Sequence, residues 1–338
     1  MTVSMRVMSA GDGYKYLLKT VASADGDRPL STPLTRYFIE EGTPPGRWLG
    51  NGLASLGKGE LVVGDCVSED QLQLLMGSGC DPITGKQLGL AFPAFKTTEQ
   101  RIEARIAKLD ATLTPGAKGE AVALIVAEEN ARAGRRAVAG FDFTFSIPKS
   151  ASVLWAVADA GTQALIADAH HAAVAEVVAF MERDVAATRT GATAGDGAVA
   201  QVDVEGLIAT AFDHFDSRAG DPHLHTHVVI SNKAKTVLDG KWRSLDGRPM
   251  HAAVVALSEL HEAVFADHMT RTFGVSWEAR EMGRDHNPAW AIAGVPEELI
   301  AEFSTRARHI DAETDRLIAE YVAAHGRRPT PAAIMKLR

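Results

Sequence analysis

The residues best suited to chemistry are four histidines in one short stretch, FDHFDSRAGDPHLHTHVVISN, which runs from residue 212 to residue 232. On an extended strand, side chains two positions apart lie on the same face, about 6.6 to 6.8 Å apart along the chain. His225 and His227 therefore project together and can reach one ion. An antiparallel return across the turn DSRAGDP would bring His214 beside them. These three imidazoles would leave open coordination positions, as a catalytic metal requires.

His223 falls on the same face as His225 and His227 by alternation, so it stays open as a further ligand until the hairpin register is known. The alternative is a solvated hairpin that is merely rich in histidine. The H-x10-H-x-H spacing, which ends in an apolar strand, favours the metal site. The adjacent His170 and His171 have no such spacing and are predicted to be ordinary helix residues, because neighbouring helix positions do not face each other.

A covalent mechanism would also need a nucleophile, and three of the four tyrosines (Tyr14, Tyr16 and Tyr37) fall in the first 37 residues. Tyr14 lies on the apolar stripe of a predicted amphipathic helix and would ordinarily be a core residue with its hydroxyl at the rim. Tyr16 lies about 200° away, on the lysine-bearing side of that helix. Composition alone does not choose between them.

Composition sets limits on the class of protein. A chain of 338 residues with 46% hydrophobic content can form one large domain or two medium ones with an ample core. We find neither an apolar run of about 18 residues nor a signal peptide, which predicts a soluble, cytoplasmic protein. The two cysteines, Cys66 and Cys80, form no CxxC pair and are predicted to be reduced. The net charge of −8 argues against a nonspecific nucleic-acid coat but allows a local basic cleft.

The elements that must position these residues are strands near the start and middle of the chain, separated by helices. VSMRVMSAG predicts a strand, and GFDFTFSIP predicts a half-buried strand in which three phenylalanines alternate with Asp142, Thr144 and Ser146. A long Ala-rich helical stretch with a break near Gly161 follows. HLHTHVVISNKAK and GKWRSLD then predict a strand and a hairpin return. The remainder, from Met250, is predicted to be helical.

Two further observations concern nucleotides and the chain end. GLASLGKG nearly spells a phosphate-binding loop, but Gly59 stands where Ser or Thr should bind Mg²⁺, so a plain loop is predicted. The sequence stops inside a helical pattern without a cap or a glycine, which suggests the front of a longer protein.

Five segments occur in a characteristic order: SAGDGYKYLL, TRYFIEEGTPPGRWLGNG, FDFTFSIPKSASVLWAV, HFDSRAGDPHLHTHVVISN and GKWRSLD. In this order they resemble the conjugative relaxase domain of the TrwC/TraI (MobF) type, within the HUH endonuclease superfamily. The most specific parts are FTFSIPKS and the histidine block, and the resemblance spans nearly the whole chain. It implies an α+β fold with a central antiparallel sheet flanked by helices and a C-terminal helical extension.

The function that the resemblance implies is site- and strand-specific nicking and rejoining of DNA at a plasmid origin of transfer during conjugation. The enzyme would stay attached through a covalent 5′-phosphotyrosine intermediate. His214, His225 and His227 match the family's metal ligands, for a divalent ion such as Mg²⁺ or Mn²⁺, with Zn²⁺ as an alternative. Asp142 matches a carboxylate near these histidines that would orient an imidazole or help to take the tyrosine proton.

The tyrosines depart from the family's pattern of two clusters, often of adjacent pairs. The first cluster here is Tyr14-Lys15-Tyr16, and an ungapped match of SAG favours Tyr16 as the nucleophile, while a shift by two favours Tyr14. Tyr37 resembles the tyrosine of a second strand transfer. A single tyrosine at that place leaves open whether two cleavages need a second molecule.

The expected partner is single-stranded DNA at the origin of transfer, together with accessory relaxosome proteins and the conjugative coupling protein, without membrane insertion. DNA binding needs cations and stacking surfaces, and candidates near the motif strands are Lys149, Arg218, Lys233, Lys235, Lys241, Trp242 and Arg243. The resemblance divides the relaxase domain, 1–338, into a catalytic core, 1–249, and a fingers-like helical extension, 250–338, with a helicase region following in the longer protein.

Three alternatives remain at this point. A rolling-circle replication initiator of the HUH type shares the chemistry, but the familiar kind places its tyrosine after the histidine block. A metal-dependent hydrolase that uses water would need none of the tyrosines. A non-catalytic DNA-binding module would tolerate loss of His225 and Asp142.

Overall fold

The computed structural model describes residues 2–18, 44–110, 112–132, 134–191, 199–281 and 288–337. Within these ranges the strands are β1 (Val3–Ser9), β2 (Arg47–Leu49), β3 (Val138–Ser146), β4 (Ala187–Gly191), β5 (Val199–Asp203), β6 (Ala209–Asp216), β7 (Pro222–Ser231), β8 (Ala234–Lys235), β9 (Trp242–Arg243), β10 (Trp277–Arg280) and β11 (Ala289–Ile292).

Helices surround these strands. In chain order they are α1 (Glu69–Leu72), α2 (Thr98–Ile106), α3 (Pro115–Ala131), α4 (Lys149–Val157), α5 (Ala160–Asp184), α6 (Gly247–Phe273), α7 (Glu297–Glu302), α8 (Thr305–His325) and α9 (Pro331–Leu337). Short 3₁₀ helices cover Asp12–Leu18, Asn51–Ser55 and Gly57–Gly59, and a π-helix, Gln73–Ser78, continues from α1.

The centre of the fold is a five-stranded antiparallel sheet in the order β1-β3-β7-β6-β2 among the described strands. Helices pack against it, which confirms the predicted α+β class with a central antiparallel sheet. The short pairs β4-β5, β8-β9 and β10-β11 lie outside this sheet. The predicted hairpin return after the histidine block is β8-β9.

The two faces of the sheet differ because successive side chains of a strand point to opposite sides. Phe141, Phe143 and Phe145 of β3 face an apolar core, which also contains Val177 of α5 and Leu257 of α6. The polar residues between these phenylalanines face the other side. On that side, part of the sheet is covered by a second apolar cluster, which includes Leu17, Trp48 and Met76, and part is open. The predicted alternation in β3 is therefore confirmed.

Helix α5 is long and apolar enough, by length and composition, to cross a membrane, but half of its most apolar window is buried within the protein. It begins where Asp159 accepts hydrogen bonds from the backbone amides of Gly161 and Thr162, at 2.9 and 3.1 Å. This N-cap separates α5 from α4 and accounts for the break predicted near Gly161. Val174 and Val177 of this helix belong to the apolar core that covers the sheet.

The C-terminal part departs from the purely helical prediction, because the β10-β11 ribbon interrupts it. A hydrogen bond ties this ribbon to α4, since the backbone amide of Ile292 donates to the Ser150 side-chain hydroxyl at 2.9 Å. The boundary proposed after residue 249 falls within α6, whose Ser258 accepts hydrogen bonds from the amides of Thr2 and Val3. This helix belongs to the layer that covers the sheet. The division into core and extension stays a prediction.

Candidate active site

The three predicted ligands meet on the open face of the sheet. In the register of β6 and β7, His214 lies directly opposite His225, and His227 lies two residues further along β7. One ring nitrogen from each of the three lies within 4.8 Å of the others. The turn between the strands closes through Gly220, whose φ of +79° favours glycine and whose amide donates to the Ser217 carbonyl at 2.9 Å.

Hydrogen bonds orient two of these imidazoles. His225 donates its Nδ1–H to the backbone carbonyl of His223 at 2.7 Å. His227 donates its Nδ1–H to the carboxylate oxygens of Asp142 at 2.9 and 3.0 Å. Because a carbonyl and a carboxylate can only accept, Nδ1 must carry the proton in both rings. The Nε2 lone pairs of His225 and His227 are therefore free to bind an ion.

The cluster also has the charge state that metal ligands need. Burial, reinforced by the neighbouring imidazoles, lowers the pKa of His214 to about 4. Burial likewise lowers the pKa of His225 to about 4. Both rings are thus neutral at neutral pH, which leaves their lone pairs available.

Nε2 of His214 supplies a further test of fit. This atom is buried and has no hydrogen-bond partner among the described residues. Buried polar atoms in proteins nearly always have a partner, so an orphaned nitrogen that faces two oriented imidazoles fits a metal ligand. The donor set suits a divalent transition metal and leaves positions for oxygen ligands.

His223, left open as a fourth ligand, lies outside the cluster of described residues that could share an ion. Its Nε2 is 3.3 Å from the Ser146 hydroxyl, and its ring centroid is 4.7 Å from that of His225. Burial, with the neighbouring cations, lowers the pKa of His223 to about 3. Its backbone carbonyl, which orients His225, brings it into the site.

Tyr16 reaches the cluster from the 3₁₀ helix Asp12–Leu18. Its hydroxyl donates a hydrogen bond to Oδ2 of Asp142, the carboxylate that also receives the His227 proton. Its ring stands edge-on to His227, with ring centroids 6.0 Å apart. Desolvation of the hydroxyl, and then the negative charge of Asp142, raise the pKa of the Tyr16 phenol above its ordinary value.

The other tyrosine candidates occupy different environments. Tyr14 is 2% exposed and packs into the second apolar cluster with Leu17, Trp48 and Met76. It does not line the cleft that holds Tyr16 and the histidines. Tyr37 lies outside the described residues. The structure thus brings Tyr16, and not Tyr14, together with Asp142 and the three imidazoles.

The reverse side of the same two strands carries a buried polar network. Asp213, next to His214, is 5% exposed and accepts a hydrogen bond from the Thr226 hydroxyl at 2.5 Å. Arg47 Nη1 lies 2.5 Å from Oδ2 of Asp213, and His171 Nε2 lies 3.0 Å from the same oxygen. Burial opposes ionisation of Asp213, but His171 and Arg47 outweigh it and hold its pKa well below the ordinary value.

The network continues away from Asp213 through two buried histidines. Because Thr226 gives its only hydroxyl proton to Asp213, the contact of 2.9 Å to His170 must have the ring as donor, through Nε2–H. His170 Nδ1 then accepts from His261 Nε2 at 3.3 Å. His170 and His171 are absent from the metal cluster, as their spacing predicted, but they join β7 and β6 to α5.

An open cleft of about 1020 Å³ surrounds the site. Ser4, Arg6, Thr144 and Ser146 line it beside the histidines and Tyr16. Four exposed arginines line the cleft and form no ion pair within the described part of the chain: Arg6, Arg136, Arg218 and Arg306. They outnumber the aspartates of the same lining, which are Asp12, Asp142 and Asp216.

Most of the cations predicted for DNA binding lie elsewhere and are engaged. Lys149 donates to the Pro222 carbonyl at 2.7 Å, and Lys233, 4% exposed, donates to the Leu90 carbonyl. Lys235 pairs with Glu205, while Lys241 and Arg243 pair with Asp239. Trp242 is partly buried against the second apolar cluster. Of the predicted set, the structure brings Arg218 to the cleft.

Sequence reasoning missed Arg6, Arg136 and Arg306. Arg6 could have been found, because it alternates onto the same face of β1 as Ser4, opposite Asp142. Arg306 reaches the cleft from the start of α8, where its amide donates to Asp221 at 3.2 Å, and no local pattern indicates this long-range contact.

Comparison with known proteins identifies the family. A family model described as TrwC relaxase matches residues 10–337. The multifunctional conjugation protein TraI of Escherichia coli is 30% identical over 194 residues, and that of strain K12 is 29% identical over 194 residues. Each match covers 55% of this chain and 10% of the relative, so the chain matches about a tenth of the length of these relatives.

Solved structures of the conjugative relaxase TrwC are similar to this chain in fold. A copper-bound complex of the conjugative relaxase TrwC with oriT DNA has a TM-score of 0.59 and 25% identity, and covers 97% of this chain and 85% of that one. TrwC complexed with a 27-mer DNA comprising the recognition hairpin and the cleavage site has a TM-score of 0.58 and 21% identity, over 99% of this chain and 88% of that one.

The sheet, the three-histidine cluster and these similarities define a relaxase, a class of DNA-nicking enzyme. More particularly, the chain belongs to the TrwC relaxase family. The resemblance drawn from the sequence is confirmed. Metal-bound structures of relatives, together with the histidine cluster, support a divalent metal site.

Proposed function

We propose that this chain nicks and rejoins one strand of DNA at an origin of transfer, with the hydroxyl of Tyr16 as the nucleophile. One observation carries the proposal: the Tyr16 hydroxyl donates to the Asp142 carboxylate, which at the same time holds His227 of the metal cluster. Nucleophile, proton acceptor and metal ligand thus form one connected unit.

In the proposed reaction, Tyr16 Oη forms a bond to the scissile phosphorus while the bond from phosphorus to the 3′ oxygen breaks. The enzyme then holds the 5′ end as a phosphotyrosine, and the other end becomes a 3′ hydroxyl. The phenol proton passes to Oδ2 of Asp142 as the bond forms, and the departing 3′ oxygen takes up a proton from solvent water. This transfer is needed because the raised pKa of Tyr16 keeps its phenol protonated at neutral pH. Rejoining is the reverse attack by a 3′ hydroxyl.

His214, His225 and His227 would hold a divalent ion, which when bound polarises the scissile phosphate and offsets its developing charge. We propose Mg²⁺ or Mn²⁺, with Zn²⁺ as an alternative. Asp142 has a separate role toward this site, since it fixes the tautomer and the ring orientation of His227.

The proposed substrate is single-stranded DNA, because the cleft is lined by four arginines that form no ion pair among the described residues, and the similar TrwC structures are complexes with oriT DNA. Arg6, Arg136, Arg218 and Arg306 would contact phosphates. By the same analogy, the partners of the whole protein include accessory relaxosome proteins and the coupling protein, in the cytoplasm. A second strand transfer by Tyr37, the fingers-like role of 250–338 and a following helicase region stay proposals of the same kind.

The test uses single-stranded oligonucleotides that tile the origin of transfer of the genetic element encoding this chain. Protein and oligonucleotide are mixed with Mg²⁺ or Mn²⁺, or with EDTA, and resolved on a denaturing gel. We expect a metal-dependent cut and a protein–DNA adduct of lower mobility. Cutting without an adduct would favour a hydrolase that uses water. Adduct formation at a replication origin, and not at the origin of transfer, would favour a replication initiator.

A further inference from the structure

A second, smaller groove of about 400 Å³ adjoins the cleft and has no role in the proposed reaction. Phe92, Pro93 and Phe95 form its apolar wall, and Arg135 and Arg136 form its charged wall. The side chain of Phe95 is 41% exposed, which is unusual for a phenylalanine in the described part of the chain.

The two walls act together. The guanidinium carbon of Arg135 lies 5.8 Å from the ring centroid of Phe95, so the charge sits over the aromatic face. Both arginines are exposed and form no ion pair with a described residue. A flat aromatic face beside exposed guanidinium groups matches the two parts of a nucleotide, because a base stacks on the ring and its phosphate pairs with the cation.

The groove is continuous with the cleft. Ala10 and Arg136 line both spaces. Ala10 and Gly11 connect the end of β1, which contributes to the floor of the cleft, to the 3₁₀ helix that carries Tyr16. A strand lying along the cleft past Arg6 and Met8 therefore reaches the groove without leaving the protein surface.

We propose that this groove is a binding subsite for an unpaired nucleotide of the substrate strand, with its base stacked on Phe95 and its phosphate paired with Arg135 and Arg136. The inference rests on the proposed function, because it takes the cleft as the path of single-stranded DNA. Stacking tolerates any base, so the subsite adds affinity for single strands without adding sequence preference.

The test measures binding and not cleavage. A fluorescent oligothymidylate of about 20 nucleotides, longer than one compact binding site, is titrated with protein in EDTA, and its anisotropy gives the dissociation constant. We expect Phe95→Ala to weaken binding by about 5- to 150-fold, the range for loss of one stacked base, and Phe95→Trp to restore it.

Leu90→Ala is the matched control, since Leu90 is 88% exposed and close in sequence but does not line the groove. It should bind like the wild type, and thermal unfolding should show that all variants are folded. Unchanged binding by Phe95→Ala would overturn the subsite, as would equal losses in Phe95→Ala and Leu90→Ala.

Arg135→Gln tests the charged wall. A plot of the logarithm of the binding constant against the logarithm of the salt concentration gives a slope for each protein. We expect the magnitude of this slope to be smaller by about 0.7 in Arg135→Gln, the value for one lost phosphate contact on a single strand. Arg132→Gln, at an exposed position before the groove, should keep the wild-type slope. Equal slopes in all three proteins would contradict the assignment.

The adduct assay separates this inference from the proposed function. Wild-type binding that is lost in Phe95→Ala, without any adduct, would retain the subsite and reject the nicking reaction. An adduct formed by the wild type, together with normal binding by Phe95→Ala, would support the nicking reaction and reject the subsite. A wild type that binds no oligothymidylate would overturn the subsite alone, because adduct formation at the origin of transfer is scored independently.

Discussion

The two faces of the β6-β7 hairpin carry the same kinds of polar residue, but the faces differ in how these residues are hydrogen-bonded. On the buried face, Asp213 and Thr226 belong to a network in which Thr226 donates to Asp213 and accepts from His170. On the open face, His214 leaves its buried Nε2 without a partner among the described residues. One pair of strands therefore holds a closed network and an open site one residue apart.

This difference teaches how the site is built. Residues that alternate along two strands cannot move independently, so contacts that fix Asp213 and Thr226 also fix the register that places His214 opposite His225. The buried face supplies rigidity, and the open face supplies unsatisfied nitrogens for chemistry. Changes on the open face should therefore remove activity and leave stability unchanged. Changes on the buried face should mainly lower stability.

The largest expected effect is from His225→Ala. Loss of one of three imidazoles should abolish tight metal binding and slow adduct formation by roughly 10³-fold, because a bound ion supplies several kcal/mol of charge stabilisation. His223→Ala is the control, since it keeps the backbone carbonyl that orients His225. Calorimetric titration with Mn²⁺ should show near-normal affinity for the control. Equal losses in both variants would make His223 a ligand and contradict the three-residue cluster.

Asp142→Asn should have the next largest effect. The amide keeps the volume of the carboxylate but loses the proton acceptor for Tyr16, and general bases contribute about 10²- to 10⁴-fold. The rate of adduct formation measures the effect. Asp216→Asn removes another carboxylate that lines the cleft and should leave the rate nearly unchanged. A normal rate in Asp142→Asn would show that another group takes the proton.

On the buried face, Thr226→Val should lower the free energy of unfolding by about 2 to 3 kcal/mol, because it strands Asp213 and His170 without their shared partner. Thr210→Val makes the same change at a buried threonine of β6 whose hydroxyl has no partner among the described residues. It should change stability by less than about 0.5 kcal/mol. Urea unfolding compares the two variants, and similar losses would deny the network any special role.

Acid should lower the stability of the protein through the same buried network. Burial, with the neighbouring His261, His171 and Arg47, holds the pKa of His170 well below its ordinary value, although Asp213 opposes this. Burial lowers the pKa of His261 to about 4. The unfolded chain therefore binds protons that the folded chain excludes, so stability should fall as pH drops from about 6.5 toward 4.

Each histidine contributes at most about 1.4 kcal/mol per pH unit to this loss. His261→Gln should lose less stability than the wild type over the same window, as measured by urea unfolding at a series of pH values. A variant with the same pH slope as the wild type would show that His261 does not contribute to the acid sensitivity.

The sequence predicted the open face better than the buried one. The spacing of His214, His225 and His227 is local: strand alternation places His225 and His227 together, and a hairpin across the short turn brings His214 beside them. The partners of His170 are not local: Thr226 is 56 residues away and His261 is 91 residues away. No pattern around His170 indicates these contacts, so an ordinary helix residue was the natural prediction.

The tyrosines show the same limit. Their positions predicted opposite sides for Tyr14 and Tyr16, and the structure agrees, although the segment is a 3₁₀ helix. Which side faces the chemistry depends on packing against Trp48 and Met76, far along the chain. Charge was misleading for a related reason, because lysines near the motif have acidic or carbonyl partners that only the fold reveals.

The central claim, that the tyrosine joined to Asp142 is the nucleophile, is tested most directly by comparing Tyr16→Phe with Tyr14→Phe. Both variants are mixed with origin-of-transfer oligonucleotides and a divalent metal, and the covalent adduct is quantified on a denaturing gel. We predict that Tyr16→Phe forms no adduct, whereas Tyr14→Phe, which loses only a buried hydroxyl, forms a normal one. An adduct that persists in Tyr16→Phe and disappears in a folded Tyr14→Phe would contradict the account.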